Sequence, residues 1–539
     1  MHRRSYIISL MVIMLSAIVS LGWGLFHSSA DAHSVANVVE DIRVLSSKPH
    51  SVAHAMERAA VCDYLCSRLT SLGCEPKVYS YPANEALGFR FDMHNVYAEI
   101  PPKCDSVATS LMLVAHYDSR YPWLLRGDTA ISLGAADNGY GVGVILETLR
   151  LALEQRDEWR QGVKVLFTDA EEVGMLGMKA AYARNRELFD RVGLVINVDA
   201  RGTYGPALLF ETSRGNTKLM DLYARSAAYP FTYSLINMVY RYMPNATDFT
   251  IVMDSLPGLN FATVADINHY HTSLDNVGNI SPRSIGHYCS QIIPVALDYL
   301  TDEAYSDKDA LKSDVDDVCF TVPLLGLFTF SQAGYIVVNA LFLIALIFYL
   351  IYEVRAAKTS PRPIVGSFFV QLLASLLLFG IGLALSWGCA TLEGLRYKPM
   401  GMLVGVGYDN LAMVLSMIVL AAAMIAVVAW CRRRVAVATL LCSTLLLMAT
   451  LSTALYIFAG ENFILLYPAV VALVGVGLWR LSSYRAFLWM AMAAVSLHAF
   501  SFLFVLAMSL TVGALALLLF LAFYYIMLLL LLAMCADGE

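Results

Sequence analysis

From residue 331 to the C-terminal end the chain is a series of long apolar runs separated by short polar breaks, and this pattern limits its fold more than any motif does. About 20 consecutive apolar residues are what an α-helix needs to cross the hydrocarbon core of a bilayer. Seven candidate spans follow one another, near 335–352, 364–387, 411–430, 435–458, 463–478, 487–508 and 512–534. A further run, 6–26, stands behind Met-His-Arg-Arg at the amino terminus. Basic residues before an apolar stretch of that length predict a signal anchor. A cleaved signal peptide is the competing reading, because Ser28, Ala30 and Ala32 offer small residues for processing.

The apolar runs account for a whole-chain composition that no soluble enzyme has, with 58% hydrophobic residues and a mean hydropathy of +0.61. Residues 31–317 are ordinarily polar. Three parts are therefore expected: an anchor or transmembrane helix over 1–30, a polar domain over 31–317 and a multispan domain of about seven helices over 331–539. Arginine and lysine gather at Arg355, Lys358 and Arg362, at Arg432 to Arg434, and at Arg480 and Arg485, after alternate spans. Such loops are cytoplasmic in membrane proteins. Placing Arg3 and Arg4 on the same side puts the polar domain on the periplasmic, extracellular or lumenal face, and only Arg396 and Lys398 depart from the pattern. The lipid bilayer is thus one partner. The net charge of −6 and the lack of a long basic run argue against nucleic acid. Six cysteines, Cys62, Cys66, Cys74, Cys104, Cys289 and Cys319, fall in the polar domain, where disulfides are permitted but their pairing is not readable.

Within the polar domain the apolar spacing over 35–72 is helical. Strands are predicted at 78–81, 91–100, 111–115, 163–167, 194–198 and 208–210, and helices at 141–153, 178–186, 218–227 and 284–299. Alternating strands and helices imply an α/β domain with a mainly parallel central sheet flanked by helices. Five junctions in this domain carry the chemistry. His116-Tyr117-Asp118 directly follows a buried strand, where one histidine alone is weak evidence for a ligand. Asp137, inside 134–139, precedes a helix and, taken alone, reads more readily as an ordinary N-cap than as a ligand. Glu171 and Glu172 end the segment VKVLFTDAEE, and adjacent carboxylates repel unless a cation or proton shares their site, although a solvated acidic turn has the same look. Asp199 closes an apolar strand, and His271 lies in a polar loop. Together, two histidines and several carboxylates at the end of one sheet suit zinc, with one carboxylate able to bridge two ions.

With these residues in hand, the polar domain resembles the M28 family of zinc metallopeptidases. The matching motifs are AHYDS at 115–119, GAADNGYGVG at 134–143, DAEEVGMLG at 169–177, NVD at 197–199 and YHTSLDN at 270–276. The layout of anchor, peptidase domain and multispan region is similar to that of the endoplasmic-reticulum metallopeptidase group. The resemblance implies two zinc ions, with Asp137 bridging them, His116 and Asp199 completing one site, and Glu172 and His271 the other. It implies Glu171 as the general base and Asp118 as the residue that orients His116. The expected activity is that of a membrane-anchored zinc exopeptidase, an aminopeptidase acting on peptide or protein N-termini. The chain departs from the family pattern at Ala170, where glycine is usual, and at Thr247-Asp248-Phe249, where many soluble members have Ser-Asp-His. Two alternatives stand beside this reading: a single-zinc glutaminyl cyclase, which shares HYDS and the glutamate pair, and a binding module without catalysis on a multispan membrane protein.

Overall fold

The computed structural model describes all residues except 1, 27, 29, 84–89, 104–108, 121–130, 243–244, 357–360, 400, 402, 404–406 and 539. Cys104 and Lys358 therefore lie outside the described residues. The chain divides into two compact units, Gly24–Cys319, and Met1–Trp23 together with Phe320–Glu539.

The first part of the chain contains α1 (His2–Phe26), α2 (Ala32–Leu45), α3 (Ala55–Ser71), β1 (Lys77–Tyr81), β2 (Met93–Ile100), β3 (Ser110–His116), α4 (Gly139–Glu154) and β4 (Gly162–Thr168). It continues through α5 (Leu176–Arg184), β5 (Val192–Ala200), β6 (Tyr204–Thr212), α6 (Thr217–Ser226), α7 (Ser234–Tyr242), α8 (Asp248–Val252), β7 (Gly258–Ala265) and α9 (Pro282–Thr301). The seven strands form one sheet in the order β1-β2-β4-β3-β5-β7-β6. Its four central strands β4, β3, β5 and β7 are parallel, as the alternation of strand and helix predicts, while β1, β2 and β6 run antiparallel and make the sheet mixed. Every residue of β3, β4 and β7 is buried, which explains their near-continuous apolar sequences. Parallel strands bring their C-terminal ends to one edge, where open α/β sheets hold ligands. His116, the turn after Thr168, Asp199 and the loop after Ala265 all meet that edge.

Two local differences from the sequence reading have simple causes. The helical stretch over 35–72 is broken into α2 and α3, because Pro49 lacks an amide donor and disfavours helical backbone at Lys48. Strand β7 was not predicted; its sequence, GLNFATVA, carries Asn and Thr as well as apolar residues, and Asn260 is satisfied internally by donating to Glu211 and Thr247.

The second unit holds the hairpin strands β8 (Val318–Val322) and β9 (Gly326–Phe330), with β8 starting at its boundary, and the helices α10 (Gln332–Ala356), α11 (Arg362–Leu392), α12 (Asp409–Arg432), α13 (Val437–Ala459), α14 (Leu466–Ser482), α15 (Ala486–Leu510) and α16 (Leu515–Asp537). Among the described residues, six helical segments are long and apolar enough to cross a membrane: Ser5–Trp23, Gln332–Arg355, Arg362–Leu392, Asp409–Arg432, Val437–Ala459 and Ala486–Asp537. The last spans 52 residues and is divided into α15 and α16 by a 3-10 turn at Thr511–Ala514, whereas Leu466–Ser482 is a shorter apolar helix. Some polar groups inside this unit bond to one another, which lowers their cost in lipid surroundings. Gln371 donates to Ser443 (2.7 Å) and accepts from Thr444 (2.8 Å), and Ser375 bonds Tyr524 (2.6 Å). Gly382 lets α11 approach α16 so closely that a Cβ there would stand 2.5 Å from the backbone of Ala516.

Candidate metal centre

The sheet edge gathers all seven predicted site residues into one cluster, in which His116, Asp118, Asp137 and Glu172 are buried and Glu171, Asp199 and His271 half-buried. His116, the last residue of β3, points Nε2 at Asp137 Oδ1 (3.2 Å) and Asp199 Oδ1 (3.7 Å). On the other side of Asp137, His271 Nε2 lies 3.1 Å from Asp137 Oδ2 and 3.2 Å from Glu172 Oε2. Two groups of potential ligand atoms result, His116 with Asp137 and Asp199, and Asp137 with Glu172 and His271, each within a 4.8 Å span. They share Asp137 and no other residue.

The residues around these donors hold them in place. Asp118, fully buried, faces His116 Nδ1 at 3.5 Å and also accepts the backbone N–H groups of Glu171 (2.9 Å) and Glu172 (3.3 Å), so it fixes both an imidazole and the glutamate turn. Asp275 does the same for the Asp137 loop, accepting from the amides of Ala136 (2.7 Å) and Asp137 (3.3 Å) and from Ser132 (3.2 Å). Asp169, at the start of the glutamate turn, is paired with Arg58 from α3 at 3.5 Å and accepts the His94 amide at 2.9 Å. Next to it Ala170 takes left-handed backbone, φ 58° and ψ 36°. Asn138 caps α4 by accepting from Gly141 (3.0 Å) and donates to Val198 O (2.7 Å), tying the Asp137 loop to β5.

The electrostatics of this arrangement call for positive charge. Burial, together with the nearby Glu172 carboxylate, raises the Asp137 pKa. Burial likewise lifts Glu171 well above the usual range, with Asp199 and Asp248 adding to the effect against the opposing pull of His116. For His116, burial works downward but is outweighed by Asp118, Asp137 and Asp199, which hold its pKa well above normal. Asp137 Oδ2, Glu172 Oε1 and His271 Nε2 are buried without a hydrogen-bond partner, even though Asp137 Oδ2 and His271 Nε2 lie close to each other. Orphaned polar atoms converging on a point, in a set of imidazoles and carboxylates, fit zinc.

Several residues of the site escaped the sequence reading. Arg120 donates to Glu172 at both its carbonyl (2.6 Å) and Oε2 (2.8 Å), and with His271 it outweighs burial to depress the Glu172 pKa. It follows HYDS by one position, so its proximity was legible. Asp275 was also within reach, as the second ionisable group of the His271 loop. Asp248, which accepts from Thr168 and is pushed up to about 7 by burial, had only a family departure to mark it. Beside the ligands lies a cavity of about 330 Å³, whose far wall includes Arg201, Phe210, Tyr240 and Tyr270. Nothing local in the sequence marks Phe210 or Tyr240, which arrive from β6 and α7 and meet edge to face at 4.7 Å.

Residues 95–296 match peptidase family M28. This part of the chain is similar to the M28 peptidases. Among relatives, the vacuolar membrane protease of Candida dubliniensis is 26% identical over 310 residues, covering 55% of this chain and 31% of that protein. Endoplasmic reticulum metallopeptidase 1 of Rattus norvegicus is 28% identical over 265 residues, covering 48% of this chain and 28% of its own length. The chain thus spans less than a third of the length of these curated relatives. Among solved structures, a leucine aminopeptidase precursor from Bacteroides thetaiotaomicron aligns with a TM-score of 0.41 and 17% identity, over 50% of this chain and 99% of that one. The glutaminyl cyclase of Porphyromonas gingivalis aligns with a TM-score of 0.40 and 20% identity, over 48% and 96%. Together with the six apolar segments, the membrane-protein relatives make this chain an integral membrane protein.

Proposed function

We propose that the protein is a membrane-anchored, zinc-dependent exopeptidase of aminopeptidase type. The observation that carries this reading is the pair of donor groups joined through Asp137, with half-buried Glu171 beside them. In this reading His116, Asp137 and Asp199 would hold one zinc ion, and Asp137, Glu172 and His271 would hold a second. Zinc at such a site supplies Lewis acidity, which acidifies water at neutral pH and polarises a scissile carbonyl. The chain's own residues do the rest. Asp118 fixes the orientation of His116 and, through the amides it accepts, the direction of the glutamate turn. Glu171 takes a proton from the attacking water and returns it to the departing amine. The covered setting of the cluster keeps bulk water from competing for these charges.

Two ions are favoured over the single ion of a cyclase by Asp137, which turns Oδ1 to His116 and Oδ2 to His271, whereas the presence of His116 does not decide, since the cyclase shares HYDS. The test is zinc stoichiometry on the detergent-solubilised full chain, together with hydrolysis of an aminoacyl peptide library. The expected result is two zinc ions per chain in the wild type and loss of at least a hundredfold in kcat for Glu171→Gln with zinc content unchanged, in line with removal of a general base. One zinc with pyroglutamate formation would establish the cyclase instead, and full turnover by Glu171→Gln would remove Glu171 from its role.

For the topology, we infer a cytoplasmic amino terminus with the peptidase domain across the membrane. Three contacts inside the helical unit support it. Arg480 pairs with Glu353 at 2.9 Å, joining the ends of α14 and α10. Arg432 reaches Met534 (3.8 Å), joining the ends of α12 and α16, and Ser5 donates to Ala536 O (2.7 Å), joining the start of α1 to the end of α16. Each contact links termini that the distribution of basic residues assigns to one side.

A further inference from the structure

We propose that the hairpin of β8 and β9 is a further membrane element, whose turn, Leu324-Leu325, inserts into the hydrocarbon of the bilayer with lipid as its partner. The sequence of the hairpin already departs from that of a water-facing connection. From Val318 to Tyr352 no charged residue occurs, so the uncharged run begins ahead of α10 and takes in the whole hairpin. Val322 O accepts the Leu325 amide at 3.0 Å, closing a turn with Pro323 in its second place and Leu324 in its third, where φ is 67°. Glycine or asparagine is at home in that place when the turn faces water. Leucine strains the backbone there and also sets out apolar surface, for Leu324 and Leu325 are 58% and 54% exposed. Hydrocarbon around the turn removes the second cost.

Contacts within the helical unit set the depth of the hairpin. Phe330, at its base, lies 4.8 Å from Phe463, just ahead of α14, and Phe328, closer to the turn, lies 6.2 Å from Tyr467 in the first turn of α14. The turn therefore points along α14. Phe320, stacked on Phe328 across the hairpin at 5.3 Å, reaches the His498 ring at 5.5 Å. Twelve residues separate His498 from each end of α15, Ala486 and Leu510, which is about 18 Å of helix, whereas the hydrocarbon layer is about 30 Å thick. The rings of the hairpin thus stand level with the middle of a spanning helix. Tyr525, near the middle of α16, donates to Ile464 O (2.9 Å) and puts the chain ahead of α14 at the same level. Helix α14 has 17 residues, about 25 Å of helix, and so leaves part of the layer to other chain. Backbone that is not helical survives at such a depth where protein covers it, and β8 is buried along its whole length while β9 is half-buried. The medium outside the protein at that depth is lipid, which assigns the open side of β9 and the two leucines to that partner.

The full chain in phosphatidylcholine nanodiscs tests this. Leu325→Cys is labelled with an environment-sensitive fluorophore, and the signal is corrected for label taken up by the chain's own cysteines. The label should lose most of its emission to a nitroxide carried on the lipid acyl chain and little to iodide in the water. The same label on Lys308→Cys, an exposed position in the polar chain ahead of the hairpin, should answer the other way. A second readout has a sign that depends on the medium. Leu324→Asn relieves the left-handed strain and in water should raise the thermal unfolding midpoint; with lipid around the turn it should lower the midpoint, because the side-chain amide then gives up its hydration. The expected result is a fall. Quenching of the Leu325 label by iodide alone, or a midpoint raised by Leu324→Asn, would place the turn in water and overturn the proposal. A label reached by neither quencher would mean that protein, of this chain or of a second copy, covers the turn, and would overturn it equally.

Discussion

Ala170 shows how a single methyl group balances against backbone strain. It stands between Asp169 and Glu171 in left-handed backbone, which costs an L-residue about 1–2 kcal/mol. Glycine, usual at this place in the resembling family, would relieve that cost. It would also forfeit the burial of a methyl that is fully enclosed among Met112, Val114 and Leu166, about 0.8 kcal/mol, and add about 0.5–1 kcal/mol of chain entropy on folding. The terms nearly cancel, so alanine is tolerated. Ala170→Gly should therefore move the unfolding free energy by less than about 1 kcal/mol and leave activity near wild type. Ala170→Val, β-branched where φ is positive, should cost more than about 2 kcal/mol and depress kcat by displacing Glu171. Amide hydrogen exchange of β3 and β4 under increasing denaturant, alongside peptide hydrolysis, measures both. A valine variant with unaltered stability would show that the turn is not held in this conformation. The strain was invisible in the sequence, since alanine carries no conformational signature of its own.

Among elements, α1 has a polarity that its apolar composition conceals. Ser5, Ser9, Ser16 and Ser20 are all buried and recur at helical spacing along one face. Ser5 donates to Ala536 O of α16 and Ser20 to Leu497 O of α15 (2.8 Å), while Trp489 Nε1 donates to Ser9 at 3.3 Å. Small hydroxyl residues of this kind let helices approach in lipid and contribute roughly 0.6–2 kcal/mol per interhelical hydrogen bond. A signal sequence destined for removal has no need of such a face, which favours the anchor over the cleaved peptide. Intact-mass measurement of the purified chain should find residues 1–23 present, and Ser5→Val with Ser20→Val should lower the detergent unfolding midpoint. A mature chain beginning near Ala30 or Ala32 would refute the retained helix. Hydropathy alone defines the length of this element; its serine face becomes meaningful only once α15 and α16 are known to lie against it.

At the scale of the whole molecule, what could be read in advance was what depends on short stretches of chain. His116, Glu171, Glu172 and Asp199 each follow an apolar strand, and a parallel sheet collects such ends at one edge, so their convergence follows from the strand pattern. Asp275, Arg201 and Tyr240 reach the same place through loops and a helix whose course depends on packing with distant segments, and no periodicity announces them. The same convergence predicts a peptidase unit whose stability depends on bound zinc. Buried carboxylates from three strand ends and one loop repel one another without a counter-charge, and zinc at a thousandfold excess over its dissociation constant would add about 4 kcal/mol to the stability of the folded form. Chelation with 1,10-phenanthroline should therefore speed amide hydrogen exchange at the ends of β3 and β5 and in the loops carrying Asp137 and His271, and added zinc should reverse it. Amides of α15 and α16, which offer no such cluster among the described residues, should exchange at an unchanged rate. Exchange at the sheet edge that stayed slow after zinc had been stripped, as verified by elemental analysis, would mean that the carboxylates are balanced by something other than metal.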